Sequence, residues 1–242
     1  MKGRAYVIHL ARAEGRRAHA ETLAGNLPLP GELLEAVDAR RMTKAEEAAY
    51  RPRLLRPSYP FALRPTEIAC FHSHRKAWRR IAESGDAGGL ILEDDVAVDG
   101  AILRAILSLA QAELRPDDYL RFPQNLRDET GPMVAEGEGV SIIRPRVAGR
   151  RMFAQWVGRE AALKLLAATE RFDRPVDALL QLSWLLPVRV LAARPIAVRE
   201  ISGTLGGSTV QGKGRGLSAV VEREVKRPLY RMAVHVHGWL KG

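Results

Sequence analysis

A short apolar run that leads directly into three acidic residues is the feature that most limits how this chain can fold. The run is Leu-Ile-Leu at 90–92, and Glu93, Asp94 and Asp95 follow it without a break. Unpaired carboxylates are very costly to bury, so the acids must lie at the end of a buried strand and not inside the core. In open α/β sheets, ligands bind beyond the carboxyl ends of the strands. The pattern therefore predicts an α/β protein with an acidic ligand site at one sheet edge.

The three acids are suited to a divalent metal ion. Side chains alternate along an extended segment, so we expect Glu93 and Asp95 to point to one side and Asp94 to the other. Two carboxylates on one side can hold a hard divalent cation that also binds a diphosphate. A solvated acidic turn without a metal explains the same residues, and both interpretations remain open at this point.

Strands and helices alternate along the chain, which predicts one α/β domain with helices on both faces of a mostly parallel sheet. A strand at 4–10, a helix at 16–24 and a strand at 33–37 follow the βαβ order. Thr66 is predicted to cap a helix over 66–84, with Glu67 in its first turn. The other predicted elements are a loop at 51–65, a strand at 90–92, a helix at 161–169 and a strand region at 187–193.

The end of the chain has a different composition. We predict a domain over 1–205, followed at 206–242 by a glycine-rich linker and a basic amphipathic helix. Residues 211–242 contain seven Lys or Arg and two Glu, which is half of the chain's net charge of +10. Apolar residues recur there at helical spacing, and Pro228 is expected to kink the helix or begin its second half. Such a helix suits an anionic membrane surface, and it suits docking on its own domain equally well.

The net charge indicates an anionic partner, which could be nucleic acid, a membrane surface or a phosphorylated substrate. Nucleic-acid binding is disfavoured because aromatic residues make up only 6% of the chain and no recognition motif is present. The single cysteine, Cys70, excludes an intramolecular disulfide and a cysteine-rich zinc module. We find no pattern of a secretory signal, a membrane span, a serine hydrolase, a P-loop or a dinucleotide fold, and expect a cytosolic protein.

Two further groups of side chains are weaker candidates. His72 and His74 are two positions apart on the predicted helix, so they face different sides and cannot bind one metal together. Arg12, Arg16 and Arg17 follow the first strand, where arginines at a helix start suit a phosphate. Exposed arginines are common in a chain this rich in arginine, so this signal is not specific.

Taken in order, five segments of the chain resemble glycosyltransferase family 25, which contains bacterial lipooligosaccharide galactosyltransferases. The most specific segments are E-I-A-C-F-H-S-H at 67–74 and L-E-D-D at 92–95. The others are 7–12 with Arg16 and Arg17, 35–38, and R-P-V-D at 174–177. The resemblance covers roughly residues 4–205.

The resemblance implies a GT-A-like nucleotide-sugar-binding fold. It also implies metal-dependent, inverting transfer of a sugar, galactose, from a UDP-sugar to lipopolysaccharide, lipooligosaccharide or another cell-surface glycan. Glu93 and Asp95 would hold Mn²⁺ or Mg²⁺ on the donor diphosphate. Asp177 would be the base that activates the acceptor, with a helix N-cap as its alternative role. The implied donor-binding residues are His9, Leu10, Ala11, Arg12, Arg16, Asp38, Ser73, His74, Asp94 and Arg121.

The chain departs from the family pattern at three positions, one of which is Ala69, where Gly is common. Ala11 stands where many members have Asp, and Ala39 stands where Gly is usual. The last two departures favour an inactive scaffold as an alternative, whereas the retention of all three acids favours an enzyme. The implied partners are a nucleotide-sugar donor and a glycolipid or glycan acceptor, without nucleic acid. The basic tail adds peripheral contact with the cytoplasmic face of the inner membrane.

Overall fold

The structure is a computed structural model that describes residues 2–126, 129–205 and 217–241. The strands are β1 (Arg4–His9), β2 (Gly31–Glu35), β3 (Gly88–Glu93), β4 (Val96–Val98), β5 (Asp118–Arg121), β6 (Met133–Gly137), β7 (Val140–Ile143), β8 (Ala154–Gly158), β9 (Arg189–Arg194) and β10 (Val198–Glu200). The helices are α1 (Glu14–Gly25), α2 (Lys44–Ala49), α3 (Pro65–Glu83), α4 (Gly100–Glu113), α5 (Arg159–Ala168), α6 (Val176–Leu180) and α7 (Leu217–Lys241). Short 3-10 turns occupy Ser183–Leu185 and Ser202–Thr204.

Eight strands form a central sheet in the order β2-β1-β3-β8-β5-β9-β7-β6. β1 pairs in parallel with β2 and β3, and β5 pairs in parallel with β9, whereas β7 and β8 run antiparallel to their neighbours. Six of the eight strands therefore point the same way. The predicted α/β class with a largely parallel sheet is confirmed, and the finer GT-A assignment stays a prediction.

Alternate side chains of the central strands pack against helices on opposite faces of the sheet. On β1, Ala5 and Val7 belong to a core cluster that contains side chains of α1 and α4. Tyr6 and Ile8 belong to a second cluster, which contains side chains of α3, α5 and α6. Because both faces are covered, both sets of strand side chains are apolar, and the central strands are continuous apolar runs in the sequence.

The long helix α3 begins one residue earlier than predicted. The prediction that Thr66 caps this helix is wrong, because Pro65 occupies the first helical position and Arg64 is the N-cap. Proline is favoured there, since the N–H that it lacks would have no partner inside the helix. The Glu67 carboxylate accepts a hydrogen bond from the Arg64 backbone N–H, as expected of an acid in the first turn.

The carboxyl ends of β1, β3 and β5 lie at one edge of the sheet because these strands run in the same direction. β1 ends at His9, β3 at Glu93 and β5 at Arg121. This is the edge at which open α/β sheets bind ligands, and the three predicted site residues are brought to it from distant parts of the sequence.

The C-terminal helix α7 is a single element that continues through Pro228 and packs on the body of the protein. Val234 is only 2% exposed and joins a small cluster with Val147 and Leu182. The predicted glycine-rich linker at 206–216 lies outside the described residues. Within the described ranges, no helix combines the length and the apolar character that a membrane crossing requires.

Candidate active site

A cleft lies at the carboxyl edge of the sheet. Its volume is about 710 Å³ when the open space at its entrance is included. Its walls come from the end of β1, the start of α1, the turn after β2, one side of α3 and the acids that follow β3. The predicted site residues that line it are Leu10, Arg12, Arg16, Ser73, His74, Glu93, Asp94 and Asp95.

Arg16 bridges two of the three acids. Its Nη1 donates hydrogen bonds to Asp94 Oδ1 and Asp95 Oδ2, both at 3.1 Å. All three side chains are buried. Charge-assisted hydrogen bonds of this kind are about twice as strong as neutral ones. The guanidinium therefore allows two neighbouring carboxylates to be buried beside each other.

His9 holds Asp94 from the other side. His9 Nδ1 and Asp94 Oδ2 are 2.7 Å apart, and both residues are buried. The contact follows from the register of the sheet, in which Ile8 of β1 lies opposite Glu93 of β3. Asp94 is thus fixed by two partners, and its carboxylate is oriented before any ligand arrives.

The expected alternation of the acids ends at Glu93. β3 stops there, and Asp94 and Asp95 form a turn that leads into β4. Strand alternation does not apply in a turn, so the prediction that Asp94 points away from Asp95 is wrong. The two side chains share Arg16.

Glu93 and Asp95 lie in an environment that disfavours their charged forms. Burial and the negative charges of Asp94, Asp177 and Glu200 raise the pKa of Glu93 to about 8. Burial and the charge of Glu93 raise the pKa of Asp95 to about 6. The positive charge of Arg16 opposes both increases. Crowded carboxylates with raised pKa values in a cleft are typical of a functional site.

The same residues fit the predicted Mn²⁺ or Mg²⁺. Asp95 Oδ1 is buried and has no hydrogen-bond partner among the described residues, which is costly for a carboxylate oxygen unless a cation binds it. Glu93 lines the same cleft. Oxygen atoms of carboxylates are the ligands that hard divalent cations prefer. Glu93 and Asp95 therefore stay the predicted metal ligands, with Asp95 Oδ2 retained by Arg16.

Ser73 connects α3 to the segment that follows β2. Its hydroxyl accepts a hydrogen bond from the Val37 backbone N–H at 2.9 Å and donates one to the Ala69 carbonyl at 2.8 Å. Val37 and Ala39 both line the cleft. Ser73 thus holds one wall of the cleft in place, and its hydroxyl is already engaged by protein groups.

His74 faces the acids, whereas His72 faces away from them. His74 Nε2 lies 3.9 Å from Glu93 Oε1, and burial lowers the pKa of His74 to about 4, so the ring is neutral. His72 Nε2 contacts the Glu46 carbonyl oxygen at 2.9 Å. The expectation that the two histidines face different sides is correct. Gln155, which contacts His74 Nδ1 at 3.3 Å, is a buried site residue that the sequence did not indicate.

A second group of potential metal ligands lies in the cleft. Ligand atoms of Cys70, His74 and Glu93 lie within 4.8 Å of one another. The i, i+4 spacing of Cys70 and His74 places both on one side of α3, and this spacing is the sequence signal for the pair that we missed. Burial, with a contribution from Glu93, raises the pKa of the Cys70 thiol well above its usual value. The thiol is therefore protonated in the metal-free protein and a poor ligand in that state.

Asp38 does not line the cleft itself, but it binds Arg12, which does. Its Oδ2 accepts a hydrogen bond from Arg12 Nε at 3.1 Å, and Arg12 lines the cleft. Its Oδ1 accepts a hydrogen bond from the Arg40 backbone N–H at 3.0 Å. That backbone hydrogen bond and Arg12 lower the pKa of Asp38, so the carboxylate stays charged and orients Arg12.

Arg121 and Ala11 do not line the cleft. Arg121 is buried, forms an ion pair with Glu129, and donates hydrogen bonds from Nη2 to the carbonyls of Arg150 and Arg151. Its guanidinium holds the chain near residues 150–151, outside the cleft, and its predicted contact with the donor stays a prediction.

Asp177 lies in the first turn of α6. Pro175 occupies the N-cap position, so the alternative that Asp177 is the N-cap is wrong. The Asp177 carboxylate accepts a hydrogen bond from the Arg151 backbone N–H at 3.0 Å. It does not line the cleft, yet it lies near enough to the acids for its charge to raise the pKa of Glu93.

Comparison with known proteins decides the family of this chain. Residues 3–131 match the family model described as "Glycosyltransferase family 25 (LPS biosynthesis protein)". The chain belongs to glycosyltransferase family 25. The matched region contains β1, α1, α3 and the three acids, and the predicted family is confirmed.

Several curated relatives belong to the same family. A glycosyltransferase 25 family member of Drosophila pseudoobscura pseudoobscura is 30% identical over 196 residues, which is 76% of this chain and 29% of the relative. Procollagen galactosyltransferase 2 of Mus musculus is 27% identical over 111 residues, or 44% and 18% of the two chains. The probable inactive glycosyltransferase 25 family member 3 of Bos taurus is 28% identical over 140 residues, or 54% and 23%. The chain spans less than a third of the length of these relatives.

The raised pKa of Glu93 predicts a pH-dependent stability of the metal-free protein. Between the usual value of 4.5 and the folded value of about 8, the folded state binds more protons than the unfolded state. By linkage, the free energy of unfolding then falls as the pH rises through this window. Below pH 6.5 the lowered pKa of His74 acts in the opposite direction, because there the unfolded state binds the extra proton. We therefore expect the melting temperature in EDTA to fall between about pH 6.5 and 8, and to fall much less in Glu93→Gln.

Glu113→Gln is the matched control for this experiment. Glu113 is an exposed acid at the end of α4, away from the cleft. It should follow the wild-type pH profile. A Glu93→Gln profile as steep as that of the wild type would assign the pH dependence to other groups.

Proposed function

We propose that the protein is a metal-dependent glycosyltransferase. It moves a sugar, galactose, from a UDP-sugar to a hydroxyl group of lipopolysaccharide, lipooligosaccharide or another cell-surface glycan, with inversion. The observation that carries this proposal is the buried network in which Arg16 and His9 hold Asp94 and Asp95 beside Glu93 at the carboxyl edge of the sheet. Membership of family 25 supports sugar transfer, and the relatives named procollagen galactosyltransferases support galactose as the sugar.

The cleft offers the groups that a nucleotide-sugar requires. Leu10, Val37 and Ala39 line part of its wall with apolar side chains, which suit the base and ribose faces of a nucleotide. Arg12 lines the same cleft and is oriented by Asp38, so its guanidinium is positioned to pair with a phosphate. Ala39, at the position where the resemblance leads us to expect glycine, is one of the residues that line the cleft.

The three acids and their partners would handle the departing diphosphate. Mn²⁺ or Mg²⁺, held by Glu93 and Asp95, would supply Lewis-acid chemistry that neutralises charge on the nucleoside diphosphate. Arg16 keeps Asp95 oriented and opposes the rise of its pKa. His9 and Arg16 together fix Asp94, which we place near the ribose or the sugar of the donor.

Asp177 is the proposed catalytic base. Its carboxylate would accept the proton of the acceptor hydroxyl while that oxygen attacks the anomeric carbon from the face opposite the diphosphate. The position of Asp177 outside the cleft, on the side of the Arg151 backbone, suits a group that meets the acceptor and not the donor.

A nucleotide-sugar panel tests the proposal directly. UDP-galactose with Mn²⁺ should raise the melting temperature by about 5–10 °C at a concentration near 100 Kd, because a ligand that binds only the folded state stabilises it. UDP-galactose in EDTA should have little effect. The Glu93→Gln/Asp95→Asn variant should fold but show no metal-dependent increase. A larger shift with another nucleotide-sugar would replace galactose, and no shift with any of them would overturn the proposal.

An inactive glycosyltransferase-like scaffold is the second candidate. Ala11 and Ala39 favour it, and so does the bovine relative described as probable inactive. It predicts that UDP is never released from a bound UDP-sugar, with or without acceptor. A nucleic-acid-binding protein is the third candidate, and steeply salt-dependent duplex binding at physiological salt would favour it.

A further inference from the structure

The helix α7 carries apolar side chains on two faces, and one of these faces contacts the body. Val234 packs with Val147 and Leu182. His237 stacks on Trp184, with 6.2 Å between the ring centroids. The contacting residues recur at helical spacing, at positions 230, 234, 237 and 238. Docking on the domain therefore uses only one side of the helix.

The other face of α7 presents a continuous apolar surface, which we call the exposed stripe. It consists of Val225, Leu229, Met232, Val236, Trp239 and Leu240, whose exposed fractions run from 49% to 78%. Their three- and four-residue spacing places them on one side of the helix. They are six of the ten large hydrophobic residues that are exposed within the described residues. A contiguous apolar patch of this kind indicates a binding surface.

Basic side chains surround the exposed stripe. Lys226 and Arg231 are exposed on α7 itself. On the body, the Arg146 guanidinium lies 4.0 Å from the centroid of the Trp239 ring. Burial lowers the pKa of Arg150, and the positive charges of Arg231 and Arg227 lower it further. These two side chains of α7 therefore lie near Arg150. Among the described side chains of α7, only Glu224 is acidic.

Apolar side chains bordered by lysine and arginine are complementary to a membrane that carries anionic headgroups above its acyl chains. The same charges disfavour a second copy of the chain as the occupant, because two exposed stripes packed together would bring like charges together. A tryptophan near the end of the stripe suits the headgroup level.

We propose that the exposed stripe of α7 binds an anionic lipid surface. The helix would lie in the plane of the interface, with the stripe among the upper acyl chains and the basic side chains at the level of the lipid phosphates. This inference depends neither on the donor nor on a bound metal.

The docked face places this lipid surface on the same side of the molecule as the proposed base. The Tyr230 hydroxyl accepts a hydrogen bond from Arg174 at 2.9 Å, and Arg174 precedes α6, which carries Asp177. Tyr59 packs edge-on against Tyr230 at 5.4 Å. If the proposed function is correct, binding through the exposed stripe would hold the protein at the surface that carries a lipid-linked acceptor.

Vesicle cosedimentation tests the lipid surface. We expect the full chain to bind phosphatidylcholine vesicles that contain phosphatidylglycerol, to bind pure phosphatidylcholine much less, and to be released by high salt. Met232→Glu/Val236→Glu should weaken binding at least about tenfold, because two large apolar side chains no longer enter the acyl boundary. Both residues are exposed, so the melting temperature should not change.

Met133→Glu/Leu163→Glu is the matched control, because it also places two negative charges on exposed apolar residues, here of β6 and α5. It should bind vesicles as the wild type does. Equal binding of the wild type and Met232→Glu/Val236→Glu, or no binding by the wild type, would overturn the proposal. A wild-type dimer that the double variant dissociates, without vesicle binding, would assign the stripe to a second copy. UDP-galactose stabilisation, measured in parallel, tests the proposed function separately.

Discussion

Replacing Arg16 with methionine should lower the free energy of unfolding by about 3–5 kcal/mol and abolish UDP-galactose binding. Asp94 and Asp95 are each 7% exposed, and both accept hydrogen bonds from the same Arg16 nitrogen. Methionine preserves much of the side-chain volume but leaves two neighbouring carboxylates buried without their shared cation. Urea denaturation measures the loss of stability, and thermal shift with Mn²⁺ measures donor binding.

Arg17 is a matched control for this substitution, since it is the next residue along α1. Its side chain is 60% exposed and forms a surface ion pair with Glu21. Arg17→Met should change the free energy of unfolding by less than about 1 kcal/mol. Equal effects of the two substitutions would show that Arg16 does not stabilise the acids.

A second comparison separates the charge of the acids from the packing of Arg16. In an Asp94→Asn/Asp95→Asn background, the uncompensated charges are absent, so Arg16→Met should be much less destabilising there. If the destabilisation is the same in both backgrounds, the loss arises from packing, and the proposed bridge contributes little.

The carboxyl ends of β1 and β3 could be predicted because they depend on local patterns, whereas β2 ends at Glu35 and not at 37, and the strands from β5 to β8 were not predicted. Continuous apolar runs indicate strands buried on both faces, and the acids that follow 90–92 indicate the end of one of them. Helical spacing likewise indicated α3 and α7 from their own residues. These elements are specified within short windows of sequence, so no knowledge of distant contacts was needed.

The partners of the acids could not be predicted because they come from distant parts of the chain. His9 and Asp94 are 85 positions apart, and Arg16 and Asp94 are 78 positions apart. Which nitrogen reaches which oxygen depends on how α1 packs against the sheet and on the turn at Asp94 and Asp95. Strand alternation, applied beyond the end of β3, gave the wrong arrangement for this reason.

The arrangement of Arg121 and that of α7 also depend on contacts with distant parts of the chain. The resemblance assigned Arg121 to the donor, but its guanidinium pairs with Glu129 and with carbonyls at 150 and 151. Helical spacing predicts one apolar stripe on α7, and its described members form the exposed face, apart from the half-buried Ala233. The docked face, with Tyr230, Val234 and His237, lies outside that stripe, because the surface of the body determines which side of the helix docks.

Asp177→Asn should lower the turnover number about 10²–10⁴-fold while leaving metal-dependent UDP-galactose stabilisation unchanged. The asparagine amide oxygen can still accept the hydrogen bond from the Arg151 backbone N–H, so the local chain should keep its conformation. The amide cannot accept a proton from the acceptor. Release of UDP in the presence of a glycan acceptor measures turnover, and thermal shift measures donor binding.

Glu200→Gln is the matched control, because Glu200 also binds Arg151, through the Arg151 side chain at 3.1 Å, and its charge also raises the pKa of Glu93. A general electrostatic role of acids around the cleft would make the two variants similar, whereas a base role affects only Asp177→Asn. The base role further predicts that Asp177→Asn loses the decline of kcat/KM at low pH that a catalytic base produces. Full activity in Asp177→Asn, with loss in Asp177→Ala, would instead make Asp177 a positioning residue that acts through Arg151.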